Sequence, residues 1–238
     1  MVGAILDHLM ASKSAPREVA LIRKAIKKFF AQPMDGVDGN PSIGSCKCGV
    51  YAFFDYDGEP IYVGQTVEAL SGRVGRHLTG RRSDAVAKFV LDPFEVLEIE
   101  VWPMPDAVGL PKAEKKALVD RAEYTVFKKA IRESKFGAVL NEAEIKEHVP
   151  IALPTSYRGR IIPDELFEDR NHPDIRLARR AATVASLARL ISEREVKRPL
   201  RNTLLVQCRR IEWLARTRLD DFSDPEDMVD DEDGDGDD

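Results

Sequence analysis

Four side chains that suit phosphate chemistry lie close together in the sequence. Tyr51 and Tyr62 occupy two short apolar runs, and Arg73 and His77 follow four residues apart, which places them on one face of a helix. Tyrosine hydroxyls can orient a water molecule, a guanidinium donates in a fork to phosphate oxygens, and histidine moves protons near neutral pH. Residues of these types at this spacing could converge on one phosphate group.

The elements that must position these residues follow from turn signals and apolar periodicity. Asp57-Gly58 is a strong hairpin signal, so the sequence predicts a hairpin over about 49–64 and a helix over about 68–78. It further predicts a third strand over about 94–102 and a long helix over about 112–134. Beyond these, the patterns predict helices over 1–32, 175–191 and 200–219, a short helix over 84–90, and a loop-rich segment over 150–173.

Two half-motifs, Gly49-Val50-Tyr51 and Tyr62-Val63-Gly64, resemble those of the GIY-YIG nuclease family, with valine in place of isoleucine in each. Arg73, His77, Glu123 and Asn141 then follow in the family's order. The resemblance covers about Cys48 to Asn141, which is under half of the chain. It implies an α+β fold with a small three-stranded antiparallel or mixed sheet flanked by helices, to which this chain adds N- and C-terminal helices.

The resemblance also implies a role for each candidate catalytic residue. Tyr51 would act as the general base, Tyr62 would orient the water or the phosphate, and Arg73 would stabilise charge on the scissile phosphate. His77 would relay a proton to or from Tyr51 or contact the phosphate. Asn141 would bond a phosphate or fix its loop.

A metal ion is implied at Glu123, in the middle of the long helix, with one divalent cation per active site. A hard cation with few protein ligands and several waters fits Mg²⁺, or Mn²⁺ in its place. Around the phosphate, the expected nucleic-acid contacts are Gly64, which would allow a close backbone approach, and the side chains of Gln65, Thr66, Arg76, Arg81 and Arg82.

The net charge of −5 conceals two oppositely charged regions. Residues 220–238 hold 12 of the 41 acidic residues and no basic ones, so 29 acidic residues face 36 basic ones in residues 1–219. We expect a disordered acidic tail that either keeps the protein soluble or competes with nucleic acid for a basic surface. In the second case, deletion after Leu219 should raise DNA affinity.

A second charged region runs from Arg170 to Arg218, where 12 arginines and one lysine accompany four acidic residues. This density and single sign favour contact with nucleic acid over a merely solvated helix face.

The cysteines and the hydropathy bear on metal binding and location. Cys46 and Cys48 form one close pair without a second pair, whereas a structural zinc site normally needs four ligands, so we expect these cysteines to be structural. Three cysteines suit a reducing compartment, and no apolar run approaches the ~20 residues needed to span a bilayer. The sequence therefore predicts a cytoplasmic protein with no membrane partner.

The sequence thus predicts a divalent-metal-dependent DNA endonuclease, and it favours a stand-alone restriction- or defence-type enzyme. A structure-specific repair or recombination nuclease and a non-catalytic DNA-binding module are the alternatives. Cleaving both strands needs two active sites, so a restriction role predicts a homodimer or higher oligomer. The expected organisation is a helical extension and loop at 1–45, a catalytic core at 46–149, a basic helical region at 150–219, and the acidic tail at 220–238.

Overall fold

The computed structural model describes residues 17–78, 92–141 and 144–222. Four expectations lie wholly or partly outside these residues: the first half of the helix over 1–32, the nucleic-acid contacts of Arg81 and Arg82, the short helix over 84–90, and nearly all of the acidic tail.

The predicted hairpin forms from strands β1 (Gly49–Phe54) and β2 (Pro60–Thr66), which pair antiparallel. Its turn is organised by Asp55, whose carboxylate accepts hydrogen bonds from the backbone N–H groups of Asp57 and Glu59 at 2.9 and 3.0 Å. This is the local side-chain-to-backbone bonding that makes aspartate a common turn residue. The hairpin signal in the sequence therefore has the expected physical origin.

The sheet has four antiparallel strands rather than the predicted three. Strand β3 (Glu98–Pro103) pairs with β1, and β4 (Tyr157–Arg160) pairs with β3, which gives the order β2-β1-β3-β4. The prediction missed β4 because its sequence has little apolar content and lies in the segment expected to be loop. Contacts with the rest of the sheet stabilise this strand: the Arg158 guanidinium donates to Glu98 at 2.8 Å and stacks on the Phe54 ring.

The described helices flank both faces of the sheet. They are α1 (Arg17–Phe30), α2 (Leu70–Leu78), α3 (Lys112–Glu133), α4 (Asp164–Asn171), α5 (Pro173–Glu193) and α6 (Arg198–Asp220). Helix α4 also falls in the segment predicted to be loop-rich. No helix within the described ranges is long and apolar enough to cross a bilayer.

Alternation along the strands divides the core into two layers. Val50, Ala52 and Val63 pack with the buried residues of α3 on one face of the sheet. Tyr51 and Phe53 point to the opposite face, where they share a core with residues from α1, α2, α5 and α6. The C-terminal helices are therefore packed into the same core as the hairpin.

Strand β2 is an edge of the sheet, and residues 140–141 cover its outer side. The backbone N–H of Leu140 donates to the carbonyl of Ile61 at 2.7 Å. The Asn141 amide then accepts from the Val63 N–H at 3.2 Å and donates to the Val63 carbonyl at 2.7 Å. These bonds satisfy backbone groups that an edge strand otherwise leaves unpaired. They also position the wall of the pocket described next.

Candidate active site

A pocket of about 370 Å³ opens beside β2, where residues from both faces of the sheet meet. Tyr62 and Arg73 reach it from the face that carries α2, whereas Gln65 and Glu123 reach it from the face that carries α3. Side chains from the two faces can meet here because β2 is an edge strand, and no further strand of the described residues lies between them. The pocket lining also includes Lys116, Asp120, Asn141, Glu144, Ile145, Lys146 and His148.

Two tyrosines and a histidine form one packed group behind this pocket. The Tyr51 hydroxyl lies 3.2 Å from Nδ1 of His77, and the Tyr62 and His77 rings meet edge to face with centroids 4.4 Å apart. Tyr51 is fully buried, whereas Tyr62 lies in the pocket lining. Tyr62 is thus placed to meet a ligand, with Tyr51 and His77 behind it.

Gly64 makes room for this group. A Cβ atom at Gly64 would lie 2.7 Å from both Cζ and the hydroxyl oxygen of Tyr51, and 2.9 Å from Cε1 of Tyr62. Tyr51 is paired with Gly64 across the hairpin, so its ring lies over the β2 backbone. The sequence suggested room for a phosphate at Gly64, and the structure shows that the Tyr51 ring fills this space.

Arg73 is held in place by helix α2. Leu70, Val74 and Leu78 anchor α2 in the core, and Arg73 emerges half-buried beside the tyrosines. Burial acts to lower the pKa of Arg73, but its interactions with Tyr51 and Tyr62 outweigh burial and raise the pKa. Arg73 therefore presents a permanent positive charge to the pocket.

Glu123 and Asp120 lie together on α3, and one amide holds both. Nε2 of Gln65 donates to Oε2 of Glu123 at 2.7 Å and to Oδ1 of Asp120 at 2.6 Å. Burial, reinforced by the nearby Asp120 carboxylate, raises the pKa of Glu123 to about 7 despite the Gln65 hydrogen bond. Burial also acts upward on Asp120, but hydrogen bonds from Lys116 and Gln65 lower its pKa overall.

Asp120 and Lys116 were not among the predicted site residues. Their spacing carried a signal, because positions 116, 120 and 123 repeat at three- and four-residue intervals and so share one helix face. Gln65, expected to donate to a phosphate, is instead bonded to the two carboxylates of this face.

The donor set near Glu123 fits a hard divalent cation. Two carboxylates and an amide oxygen are the ligand types that Mg²⁺ takes in proteins, usually with several waters retained. Within the described part of the chain, no group of three or more histidine, cysteine, aspartate or glutamate side chains is arranged to hold a metal. A cation at Glu123 would accordingly rely on water for most of its coordination.

The two N-terminal cysteines lie away from this pocket, in the core. Sγ of Cys46 donates to the Cys48 carbonyl at 3.2 Å, and burial raises the pKa of the Cys48 thiol to about 11. A neutral thiol is a poor metal ligand, because the thiolate is the binding form.

The other predicted site residues have mixed placements. Asn141 lines the pocket while its amide bonds the β2 backbone, which is the loop-fixing contact among its two predicted roles. Thr66 directs its hydroxyl to the backbone of Glu68 and so organises the turn before α2. Arg76 pairs with Glu68 and lines a different groove, between α1 and α2.

Three of the twelve arginines between Arg170 and Arg218 are occupied inside the protein. Arg180 donates to Asp55 and Glu95, each at 3.0 Å, and Arg210 donates to the same Asp55 at 2.7 Å. Arg176 pairs with Asp57, and all three arginines are at most 3% exposed. These three cannot contact nucleic acid, so the arginine count of this region overstated its basic surface.

One comparison with known protein families matches the part of the chain that carries most of these residues. Residues 47–130 match the GIY-YIG catalytic domain family, whereas no curated protein and no solved structure matches the chain. The matched segment contains Tyr51, Tyr62, Arg73, His77 and Glu123, while Asn141 and helices α4–α6 lie outside it. Residues 47–130, about a third of the chain, are thus identified as a GIY-YIG catalytic domain.

Proposed function

We propose that this protein is a divalent-metal-dependent DNA endonuclease that hydrolyses phosphodiester bonds. One observation carries the proposal: Glu123, Arg73 and Tyr62 approach one pocket from opposite faces of the sheet. This hydrolysis needs a carboxylate that holds a metal ion, a positively charged side chain that binds the phosphate, and a hydroxyl that orients water.

In this proposal Arg73 binds the scissile phosphate. Its charge is fixed by the raised pKa, and its position on α2 is fixed by the buried leucine and valine residues of that helix. A guanidinium held in place stabilises negative charge that develops on the phosphate oxygens without having to reorganise first.

Tyr51 takes the proton from the attacking water, and Tyr62 orients that water in the pocket. Arg73 interacts with the Tyr51 hydroxyl, and His77 at 3.2 Å can receive or return the proton. Tyr51 is fully buried and does not line the pocket, so in this proposal the proton passes to it next to Arg73, which lines the pocket and interacts with the Tyr51 hydroxyl.

Glu123 would hold the cation, with Asp120 beside it and Gln65 fixing the orientation of both carboxylates. A bound Mg²⁺ or Mn²⁺, one per active site, would neutralise phosphate charge and make a coordinated water more acidic.

The decisive experiment is cleavage of supercoiled plasmid by the wild type and by Glu123→Gln, with Mg²⁺, Mn²⁺ or EDTA. We expect cleavage only with metal and a rate reduced at least roughly 10³-fold in the variant, since several kcal/mol of charge stabilisation disappear. Glu114→Gln, an exposed glutamate on the same helix, is the matched control and should cleave like the wild type. Absence of cleavage by the wild type with either metal, while it still binds DNA, would leave a non-catalytic DNA-binding module.

The two tyrosines can be separated by pH profiles of single phenylalanine variants. Tyr51→Phe should lower kcat by roughly 10²–10⁴-fold. It should also abolish the rise of the rate with pH that deprotonation of the general base causes. Tyr62→Phe should lower the rate but keep the shape of that profile. If Tyr62→Phe alone changes the shape, Tyr62 is the base and Tyr51 positions it.

We further propose a restriction- or defence-type role, which is the role that the sequence favours. Discrete fragments from plasmid or genomic DNA are the expected result. A strong preference for flaps or junctions over plain duplex would instead favour the repair alternative. A restriction role also requires two active sites for double-strand cuts, so light scattering of the DNA-bound protein should give a dimer or higher oligomer.

A further inference from the structure

Helix α1 presents a cationic face whose charges are not matched within the described part of the protein. Arg23, Lys24, Lys27 and Lys28 are all exposed, and no carboxylate of the described residues lies within salt-bridge distance of any of them. The only acidic residue of α1, Glu18, is occupied by Arg170. We call these four residues the α1 cationic face.

Beside this face, a groove of about 830 Å³ runs between α1 and α2. Ile26 and Phe30 form its floor, and no acidic residue of the described ranges lines it. Its rim carries three cations, namely Arg23, Lys27 and Arg76, the last of which is paired with Glu68. Small residues, including Ser45, Ser71 and Gly72, make up much of its walls, so an extended polyanion could approach the backbone closely.

The groove is fixed relative to the active site. Ser71 of α2 donates from its hydroxyl to the Gly44 carbonyl at 2.8 Å. A Cβ atom at Gly44 would lie 2.7 Å from Cβ of Phe30 and 2.9 Å from Cβ of Ser71, so α1 and α2 are held together with Gly44 between them. The cationic face cannot shift much without moving the helix that carries Arg73.

One helix separates the groove from the pocket. Gly72 and Arg76 line the groove, while Arg73, which directly follows Gly72, lines the pocket. An α-helix is about 10 Å across with its side chains, and phosphates follow one another about every 3.4 Å along the axis for each DNA strand. A strand with one phosphate at Arg73 therefore has further phosphates within reach of Arg76 and Lys27.

We propose that the α1 cationic face and the α1–α2 groove bind the sugar–phosphate backbone of duplex DNA on one side of the scissile phosphate. The inference rests on the proposed function, because it takes the pocket as the place where the strand is cut. Helix α1 precedes residues 47–130, so this surface is an addition to the GIY-YIG catalytic domain. The contacts are to phosphates, which supply affinity and orientation rather than sequence choice.

The test is the affinity for duplex DNA, measured in EDTA across a salt series, for the combined variant Arg23→Gln, Lys24→Gln, Lys27→Gln and Lys28→Gln. Each of these cations that binds a phosphate should contribute ~0.9 to the slope of log K against log salt and roughly five- to tenfold to the affinity at 0.1 M salt. The combined variant should therefore show a slope flatter by ~0.9 or more and binding weakened at least roughly fivefold. Glutamine is a good helix former, so substituting it at these exposed positions should leave the midpoint of thermal unfolding near that of the wild type.

The matched control removes the same number of charges from the C-terminal region. Arg189→Gln, Arg194→Gln, Arg209→Gln and Arg216→Gln all alter exposed arginines and should weaken binding clearly less than the α1 variant does. An equal weakening in both variants would mean a general effect of net charge and would overturn the proposal, as would unchanged binding by the α1 variant. If the combined variant does not fold, Lys27→Glu alone should still weaken binding and flatten the slope, and no change would overturn the proposal.

The same titrations separate this inference from the proposed function. If the wild type binds DNA and the α1 variant binds it more weakly, but the wild type cuts nothing with any metal, the DNA-binding surface is supported and the nuclease activity is refuted. If the wild type cleaves DNA and the α1 variant binds DNA as the wild type does, the nuclease activity is supported and the DNA-binding surface is refuted. Tighter binding of an RNA duplex, abolished in the same variant, would overturn the assignment to DNA.

Discussion

The C-terminal helices α5 and α6 and the N-terminal helix α1 are both rich in positive charge, but three arginines of α5 and α6 are buried whereas the four cations of α1 are exposed. Arg176, Arg180 and Arg210 turn inward to the carboxylates of the hairpin turn. The α1 cationic face meets no carboxylate among the described residues and is exposed. A count of basic residues along the chain therefore does not locate a nucleic-acid surface, because some of these residues form ion pairs with carboxylates inside the protein.

The residue types differ in the same sense. The inward cluster consists entirely of arginine, whose planar guanidinium can donate to two carboxylates at once, as Arg180 does to Asp55 and Glu95. Three of the four cations on the α1 face are lysine, which is a strongly hydrated point charge. Arginine density in the C-terminal region thus reflects a need for buried hydrogen bonds, not only for phosphate contacts.

The largest effect that tests this contrast is expected from Asp55→Ala. Asp55 is 2% exposed and accepts hydrogen bonds from Arg180, Arg210 and two backbone N–H groups. Removing it leaves two buried guanidinium groups without their shared carboxylate, which should cost about 3–5 kcal/mol of unfolding free energy. Urea denaturation of the two proteins measures the difference.

Asp174→Ala is the control for that experiment. Asp174 pairs with Arg218 at 2.9 Å, but both partners lie at the surface, where water screens the interaction. Its urea midpoint should stay within error of the wild-type value. Equal destabilisation by both substitutions would contradict the contrast between buried and exposed arginines.

A second, smaller effect concerns a carboxylate that forms no salt bridge with an arginine in the described part of the chain. Burial raises the pKa of Glu123 from 4.5 to about 7, so between these values the folded protein keeps a proton that the unfolded chain has released. Unfolding free energy must then fall as pH rises through this window, and the trend must stop above about pH 7. Glu123→Gln removes the titration.

Denaturation in EDTA from pH 4.5 to 8 measures this effect as the difference between wild type and Glu123→Gln. The difference should shift in favour of the variant as pH rises, because the variant has no charge to bury. A difference that stays constant across the range would show that Glu123 is not perturbed in the folded protein.

The smallest effect is expected from removing residues 223–238, which carry ten acidic residues. If this segment competes with DNA for the α1 cationic face, its removal should raise DNA affinity a few-fold at low salt and have no effect at high salt. The same truncation in the combined α1 variant should give no gain. A gain of equal size in both backgrounds would place the competition elsewhere on the protein.

The sequence by itself determined the local elements and the order of the candidate catalytic residues. The hairpin followed from Asp57-Gly58 between β-rich runs, and α2 and α3 followed from apolar periodicity. These features depend on neighbours a few residues apart, so a local pattern suffices to predict them. The same locality made Asp120 discoverable, since it shares a helix face with Glu123.

Only the tertiary structure decided which charges meet. Asp55 pairs with arginines 125 and 155 residues away, and β4 exists because β3 offers it an edge to pair with. The pocket likewise depends on β2 being an edge strand, around which residues from opposite faces can converge. Such pairings depend on how elements far apart in the sequence pack together, and a local pattern of residue types does not predict that packing.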